Sequence, residues 1–258
     1  MKPVSFDGRD ELTCDAITRD YRIWQRKRGH RYSLDDVATA WVAARARPDA
    51  RRCLDLGCGI GSVLLMVAYR CAAESLVGIE AQDVSIELAR RSVADNGLGA
   101  RVRLVHGDLR AEALRLEGRF DLVTGTPPYL PLGTALPSPD PQRTAARLEL
   151  RGGVEDYLAA AAAVVDVDGR VVVCADGRRP DRVVRGASEA GLVPLARWDA
   201  MARADAHGPL FSVWTLAPRS EASLAEAPSL RIEVGVIRDD EGRKTELAGA
   251  MRRTFGLE

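Results

Sequence analysis

The sequence predicts an α/β fold in which a mostly parallel sheet carries helices on both faces. From about residue 52 onward, apolar strand-like segments alternate with amphipathic helical segments, which is typical of a parallel sheet with helical connections. A glycine-rich turn joins the first of these strands to the first helix. The length of 258 residues, with 46% hydrophobic and 29% charged residues, fits one large folded domain with a short extension.

The elements of the predicted sheet follow a regular order. Short apolar runs predict strands at 52–56, 75–80, 102–106, 120–124 and 170–175, and one-sided apolar patterns predict helices at 61–72, 84–96 and 157–165. Gly97 is a typical stop for the second helix. The segments 211–216 and 230–236 leave no room for long crossover helices, so we expect them to form an antiparallel edge.

Two further stretches differ from this pattern. Residues 1–50 are polar and rich in arginine, and we expect them to form an extension or lid ahead of the α/β domain at 51–258. The segment 127–141 holds six prolines, which exclude a helix or a central strand. We therefore expect an ordered loop beside the end of a strand.

Composition excludes several classes of protein. Lys+Arg and Asp+Glu both total 37, so bulk charge does not indicate a nucleic-acid or membrane partner. The five cysteines form no Cys-x-x-Cys pair and no zinc-like spacing, so we expect no metal site and no disulfide framework. Neither a secretory signal nor a membrane span is evident, and we expect a cytoplasmic protein with reduced thiols.

The glycine-rich turn is the first candidate binding element. Gly57, Gly59 and Gly61 lie between a strand that ends at Asp55-Leu56 and the following helix. Glycines permit positive φ and a close approach of a ligand, and the helix start offers unpaired N–H groups. Because the carboxylate of Asp55 would repel a pyrophosphate, this turn favours a cationic ligand over a dinucleotide.

Two more carboxylates follow neighbouring strands. Glu80 ends the second strand, about twenty residues after the glycines, where an acid can accept both hydroxyls of a ribose. Asp108 follows the third strand, where it could meet the amino group of an adenine. Since parallel strands bring their carboxyl ends to one edge, the three acids are expected to surround one ligand.

Together these residues resemble the cofactor site of class I S-adenosylmethionine-dependent methyltransferases. The resemblance implies that 51–258 is a methyltransferase domain with a Rossmann-like, seven-stranded sheet whose last strands form an antiparallel pair. It also implies S-adenosyl-L-methionine as the cofactor and S-adenosyl-L-homocysteine as the product. The expected cofactor-binding residues are Tyr32, Ser33, Asp55, Gly57, Cys58, Gly59, Gly61, Glu80, Ala81, Asp108, Leu109 and Thr126.

The fourth strand ends in a motif that indicates the acceptor. Thr126-Pro127-Pro128-Tyr129 resembles the Asn/Asp-Pro-Pro-Tyr motif of methyltransferases that modify amino groups conjugated to a π system. Such a nitrogen is a poor nucleophile, so acceptors must hold its N–H groups and aim its lone pair. Prolines lock the turn, and the Tyr129 ring offers a stacking face. These four residues are the expected catalytic residues, with Thr126 in place of the usual Asn or Asp.

Flanking segments suggest a subfamily. The segments 29–35 and 146–149 resemble stretches of bacterial tRNA (adenine-N6)-methyltransferases that act beside the anticodon of a valine tRNA. The segment 237–245 resembles their closing stretch, with Lys244 in place of a tyrosine. This resemblance implies adenine N6 in tRNA as the acceptor, and it implies that Tyr32 and Ser33 belong to a lid on the cofactor pocket.

An N-terminal group of cations is compatible with RNA binding. Six basic residues lie between 19 and 31 with aromatic residues among them, so phosphates and unpaired bases could bind there. A solvated, arginine-rich surface is the equally favoured alternative. The expected substrate-binding residues are Arg26, Arg28, Arg31, Tyr129 and Arg147.

Two other functions fit the same motifs. The first is methylation of a small molecule or natural product, or of a peptide or protein amide, since release-factor glutamine methyltransferases share the Pro-Pro-Tyr turn. The second is a non-catalytic subunit that binds S-adenosylmethionine beside an impaired acceptor site. An open basic groove would favour RNA, whereas a closed apolar pocket would favour a small molecule.

Overall fold

The computed structural model describes residues 11–226 and 229–257. The strands are β1 (Leu12–Ala16), β2 (Arg22–Arg26), β3 (Arg52–Leu56), β4 (Ser75–Glu80), β5 (Val102–His106), β6 (Phe120–Gly125), β7 (Val165–Ala175), β8 (Leu192–Met201), β9 (Phe211–Pro218) and β10 (Arg231–Val236). The helices are α1 (Leu34–Ala46), α2 (Ser62–Arg70), α3 (Asp83–Asp95), α4 (Leu109–Glu112), α5 (Pro141–Arg147), α6 (Val154–Val164), α7 (Pro180–Glu189), α8 (Glu221–Glu226) and α9 (Glu246–Thr254).

The main sheet has the strand order β10-β8-β9-β7-β6-β3-β4-β5. All of its neighbouring strands are parallel except β9, which is antiparallel to both β7 and β8. The predicted fold class is therefore confirmed, but the strand count is eight among the described residues rather than seven.

The predicted antiparallel edge needs a correction. The chain does reverse direction between β9 and β10, as the short connection requires. However, β8 lies between them in the sheet, so β10 pairs with β8 and that ladder is parallel. The prediction of antiparallel pairing was therefore right for the segment that forms β9 and wrong for the segment that forms β10. The cause is that β8, the neighbour of β10, was not predicted.

Helices cover both faces of the sheet, as expected. One buried apolar cluster joins the sheet to α1, α2 and α3, and a second joins the opposite face to α4, α6 and α7. Helix α1 packs on β6, β7 and β9, and Trp41 meets Trp198 of β8 edge-to-face at 5.7 Å. Although α1 lies within the predicted N-terminal extension, it is thus part of the main core.

Candidate active site

The glycine turn connects β3 to α2 in backbone conformations that suit glycine. Gly57, Gly59 and Gly61 have φ values of +60°, +56° and +90°. A methyl group at Gly57 would collide with the hydroxyl of Tyr157, whereas one at Gly59 would enter open space. The turn therefore exposes bare backbone on one side and is tightly backed by α6 on the other.

Glu80 lies at the end of β4 beside this turn. Its two carboxylate oxygens accept hydrogen bonds from the N–H of Gly59 at 2.9 Å and of Gln82 at 2.6 Å. Burial raises the pKa of this carboxyl, while these N–H donors oppose the rise. Each carboxylate oxygen can accept a further hydrogen bond, so Glu80 is suited to a ribose diol.

Asp108 lies at the end of the next strand and caps α4. It accepts the N–H of Arg110 at 3.0 Å and pairs with the guanidinium of Arg110 at 2.6 Å. The hydrogen bond from Arg110 holds the pKa of Asp108 below its ordinary value, so this carboxylate remains ionised.

Asp55 lies beneath the turn and does not line the pocket. Its carboxylate accepts the hydroxyl of Thr124 at 2.8 Å and is only 2% exposed. Burial raises the pKa of Asp55 to about 7. This acid thus joins β3 to β6 below the glycine turn.

A pocket opens above these strand ends. The predicted site residues that line it are Gly57, Cys58, Gly59, Glu80, Ala81, Asp108, Leu109, Thr126 and Pro128. Burial raises the pKa of the Cys58 thiol, so this cysteine is a neutral wall residue rather than a nucleophile.

Asp36 is a pocket residue that sequence reasoning missed. It lies in the first turn of α1, lines the pocket together with Ser62, and accepts the N–H of Ser33 at 2.9 Å. Burial, followed by repulsion from Asp35, raises the pKa of Asp36 to about 8. The Ser-x-x-Asp capping pattern at 33–36 indicates a helix start, but it carries no signal of a pocket.

The diproline corner, Thr126–Tyr129, directly follows β6. Thr126 and Pro128 line the cofactor pocket, whereas Pro127 and Tyr129 line a small neighbouring cavity with Asp176. The Tyr129 hydroxyl donates to Asp35 at 2.9 Å and lies 2.8 Å from the sulfur of Cys174. The corner is therefore fixed to the start of α1.

An ion-pair network lies beside the diproline corner. Arg182 of α7 contacts Glu149 at 2.5 Å and Glu155 at 2.6 Å, and its side chain is largely buried. Both Arg182 and Glu149 line the small cavity that contains Pro127. The segment 146–149, singled out by its sequence, thus contributes this anchor, and Ala146 lines the cofactor pocket.

Helix α5 packs over the pocket after the proline-rich segment. The side chain of Gln142 accepts the N–H of His30 at 3.1 Å and donates to Ser85 at 3.1 Å. Arg26, an expected substrate-binding residue, pairs with Asp140 at 2.9 Å. In this structure Arg26 therefore holds the cover of the pocket in place.

Several other predicted residues lie outside the pocket. Tyr32 and Ser33 line a different cavity, and Gly61 caps α2. Arg28 and Arg147 are exposed, whereas Arg31 pairs with Asp15 at 3.0 Å.

The aromatic residues of the N-terminal stretch are engaged within the protein. The indole of Trp24 donates to Asp95 at 2.6 Å, and the guanidinium of Arg91 lies 3.4 Å from its ring centre. Tyr21 meets Tyr69 edge-to-face at 6.1 Å. For Tyr21 and Trp24, these contacts favour the solvated-surface interpretation over an open platform for bases.

Two classes of feature are absent from the described part of the chain. None of the helices within 11–226 and 229–257 has the length and apolar character needed to cross a membrane. Over the same residues, no group of three or more His, Cys, Asp or Glu side chains could hold a metal ion.

Comparison with known proteins agrees with this geometry. A family model described as a methyltransferase domain matches residues 53–146. The tRNA1(Val) (adenine(37)-N6)-methyltransferase of Porphyromonas gingivalis is 32% identical over 126 residues, which cover 48% of this chain and 49% of that protein. The 4-amino-L-phenylalanine/4-methylamino-L-phenylalanine methyltransferase of Streptomyces pristinaespiralis is 32% identical over 142 residues, which cover 46% and 47%.

A solved structure supports the fold. The crystal structure of a predicted O-methyltransferase from Agrobacterium tumefaciens aligns with a TM-score of 0.62 and 20% identity, over 87% of this chain and 98% of that one. The chain spans about half the length of the two curated relatives named above.

Fold, glycine turn and family match agree: the chain has the fold of class I methyltransferases, and its residues 53–146 match a methyltransferase domain. Within that class, it is similar to the tRNA1(Val) (adenine(37)-N6)-methyltransferases. The residues present fit the cofactor, because the open side of Gly59, the free acceptor capacity of Glu80 and the carboxyl of Asp36 meet in one pocket.

Proposed function

We propose that this protein methylates an amino nitrogen, with adenine N6 of tRNA as the acceptor. One observation carries the proposal: Thr126 and Pro128 of the diproline corner line the same pocket as Gly59 and Glu80. An amine held at this corner is therefore next to the cofactor. The similarity to tRNA1(Val) (adenine(37)-N6)-methyltransferases supports adenine as the acceptor, and a tRNA acceptor implies a cytoplasmic protein.

Different residues of the pocket bind different parts of the cofactor. We assign Glu80 to the ribose hydroxyls, Asp108 to the adenine side, and the bare backbone of the glycine turn to close contact with the cofactor. The carboxyl of Asp36 holds a proton in the free protein, because its pKa is raised to about 8, and a cationic ligand beside it would favour the ionised form. The cofactor supplies an electrophilic methyl group bonded to a positively charged sulfur.

The diproline corner would prepare the acceptor. Backbone carbonyls and the Thr126 hydroxyl can accept the N–H groups of the amine, which turns its lone pair toward the methyl carbon. As the new N–C bond forms, the C–S bond breaks and its electron pair stays on sulfur. The nitrogen then loses a proton to water, so no strong base is needed before transfer. Catalysis comes from positioning and fixed dipoles.

A small aromatic amine is the second candidate acceptor. Thr126 replaces the Asn or Asp of the amine-modifying motif, and the relative from Streptomyces pristinaespiralis is named as a methyltransferase of 4-amino-L-phenylalanine. The nitrogen of such a substrate is also conjugated to a ring, so the same corner suits it.

Incubation with radiolabelled S-adenosylmethionine tests which of these acceptors the protein methylates. The purified full chain is mixed separately with total RNA, total protein and a metabolite extract from cells that lack this protein. We expect label in RNA, recovered as N6-methyladenosine after nuclease digestion. Label only in metabolites would favour the second candidate, and label only in protein would indicate an amide acceptor. Cofactor binding without transfer to any of the three would indicate a non-catalytic subunit.

A further inference from the structure

A second cavity lies against a different side of the same helical turn that borders the cofactor pocket. Ser33, Leu34 and Val37 of α1 line this cavity, whereas Asp36 lines the cofactor pocket. Its volume is about 420 Å³, within the ~300–1,000 Å³ range of small-molecule sites. The β1–β2 hairpin, the start of α1, and α9 with its preceding turn surround it. We call it the basic cavity.

Positive charge dominates the lining of the basic cavity. Its charged side chains among the described residues are four cations and one carboxylate: Arg31, Arg238, Lys244, Arg252 and Asp15. Asp15 already pairs with Arg31 at 3.0 Å. Arg238 and Lys244 therefore add a positive potential that attracts an anion.

Two of these cations oppose each other directly. Arg238 and Lys244 form an isolated antiparallel bridge across the turn at 239–243, and both line the cavity. Directly opposed residues of an antiparallel pair lie on the same side, and like charges there are destabilising. No ion pair joins Lys244 to another residue that the structure describes.

None of the three acids of the intervening turn, Asp239, Asp240 and Glu241, all of which the structure describes, forms an ion pair with Arg238 or Lys244. Arg243 pairs with Asp239 at 2.9 Å and with Glu241 at 2.9 Å. An anion bound between Arg238 and Lys244 would remove the repulsion between them.

We infer that the basic cavity binds a phosphate of single-stranded RNA, together with the base beside it, next to the acceptor nucleotide. The inference rests on the proposed function and identifies where the RNA contacts the protein outside the cofactor pocket. Tyr32 lines the cavity, and its hydroxyl is fixed by donation to the carbonyl of Ala16 at 3.1 Å. Its ring is thus a stacking surface for a base.

The location of the cavity suits an RNA that also reaches the diproline corner. Asp35, in the same turn of α1, accepts the hydroxyl of Tyr129 at 2.9 Å. The basic cavity and the diproline corner therefore contact the same turn of α1, which is about 5.4 Å long. An extended strand can occupy both.

RNA binding by charge-neutral variants tests the inference. Fluorescence anisotropy of a labelled single-stranded RNA of about 12 nucleotides is measured with the full chain, over a series of salt concentrations. We expect the double variant Lys244→Gln and Arg238→Gln to bind about tenfold more weakly, with the salt slope reduced by about one because one phosphate contact is lost. Arg253→Gln is the matched control, because Arg253 lies on α9, pairs with Glu246 and is not part of the cavity lining.

Three readouts distinguish the possible outcomes. Calorimetry with S-adenosylhomocysteine should give the same affinity for all variants, which shows that they are folded. Equal RNA affinity and equal salt slope for the double variant and the control would overturn the inference. So would adenosine 5′-monophosphate binding as tightly as the RNA, because the cavity would then be a site for a free nucleotide. If the proposed function alone is wrong, wild type transfers no methyl group to RNA while the double variant still binds RNA more weakly.

Discussion

The hydroxyl of Tyr129 donates to the carboxylate of Asp35 at 2.9 Å, across 94 residues of sequence. The hydroxyl of Ser33, the residue that caps α1, also donates to Asp35. The diproline corner is therefore positioned by the first turn of α1 and not only by the strand that carries it. A substitution in this turn is therefore expected to affect both the diproline corner and the cofactor pocket, which Asp36 lines.

Tyr129→Phe should separate positioning from cofactor binding. Loss of the hydroxyl removes the hydrogen bond to Asp35, which costs about 1 kcal/mol of stability. We expect kcat for methyl transfer to fall about tenfold through loosened positioning, while the Kd of S-adenosylhomocysteine stays the same. Steady-state kinetics and calorimetry measure the two quantities. Tyr69→Phe, on α2, is the control and should leave kcat unchanged. Equal kcat for Tyr129→Phe and wild type would contradict a positioning role.

Glu80→Gln should weaken cofactor binding. The amide of glutamine offers a single acceptor oxygen, so either the N–H of Gly59 or that of Gln82 would meet an NH₂ group. A hydrogen bond to a charged group contributes about 1.5–3 kcal/mol, so we expect the Kd of S-adenosylhomocysteine to rise about 10- to 100-fold. Glu87→Gln on α3 is the control. A Kd within twofold of the wild-type value, measured by calorimetry, would show that Glu80 does not bind the cofactor.

Gly57→Ala should destabilise the fold more than Gly97→Ala. Both glycines have positive φ, +60° and +66°, so both substitutions carry backbone strain of about 1–2 kcal/mol. Only at Gly57 would the new methyl group collide with the hydroxyl of Tyr157, which adds about 1–3 kcal/mol. Urea unfolding measures the difference. Adding Tyr157→Phe should recover part of the loss at Gly57, and no recovery would show that the hydroxyl is not the obstacle.

Asp36→Asn should change how stability depends on pH. The pKa of Asp36 is raised to about 8 by burial and by Asp35. Between pH about 4 and pH about 8, the folded protein holds a proton that the unfolded chain has released, so the free energy of unfolding decreases as pH rises. Asparagine cannot ionise, and it keeps an acceptor for the N–H of Ser33.

We expect the free energy of unfolding of Asp36→Asn, relative to that of wild type, to be higher at pH 9 than at pH 5 by at least about 1.4 kcal/mol. This difference corresponds to one unit of pKa. Urea unfolding at the two pH values measures this gain. Asp205→Asn, at an exposed turn, should show no such gain. A constant difference between Asp36→Asn and wild type across this range would mean that Asp36 titrates at its ordinary value.

Local patterns in the sequence predicted the part of the site that local structure builds. The glycine turn, Glu80 and Asp108 each follow a strand, so a strand-turn-helix pattern was enough to bring them together. Asp36 and Tyr157 come from α1 and α6, and they reach the pocket only because these helices pack on opposite faces of the sheet. No local pattern carries that information.

Two further differences have equally physical causes. Strand β8 escaped prediction because Pro194 interrupts it, and the structure accommodates this proline at a shift in register between Pro194 and Ala196. Arg26 is a cation in an arginine-rich stretch, but its partner Asp140 lies far away in the sequence. A sequence shows charges without showing which of them neutralise one another.

Helix α1 precedes the strands on which it packs. The strands on which it packs include β7 and β9, which are synthesised long after α1 has left the ribosome. Until then the apolar side of α1 has no complete surface to cover it, and the pairing of Tyr129 with Asp35 must await a distant part of the chain. The wall of the pocket that carries Asp36 is thus completed late in biosynthesis, and truncation of the nascent chain before β9 removes part of the surface on which α1 packs.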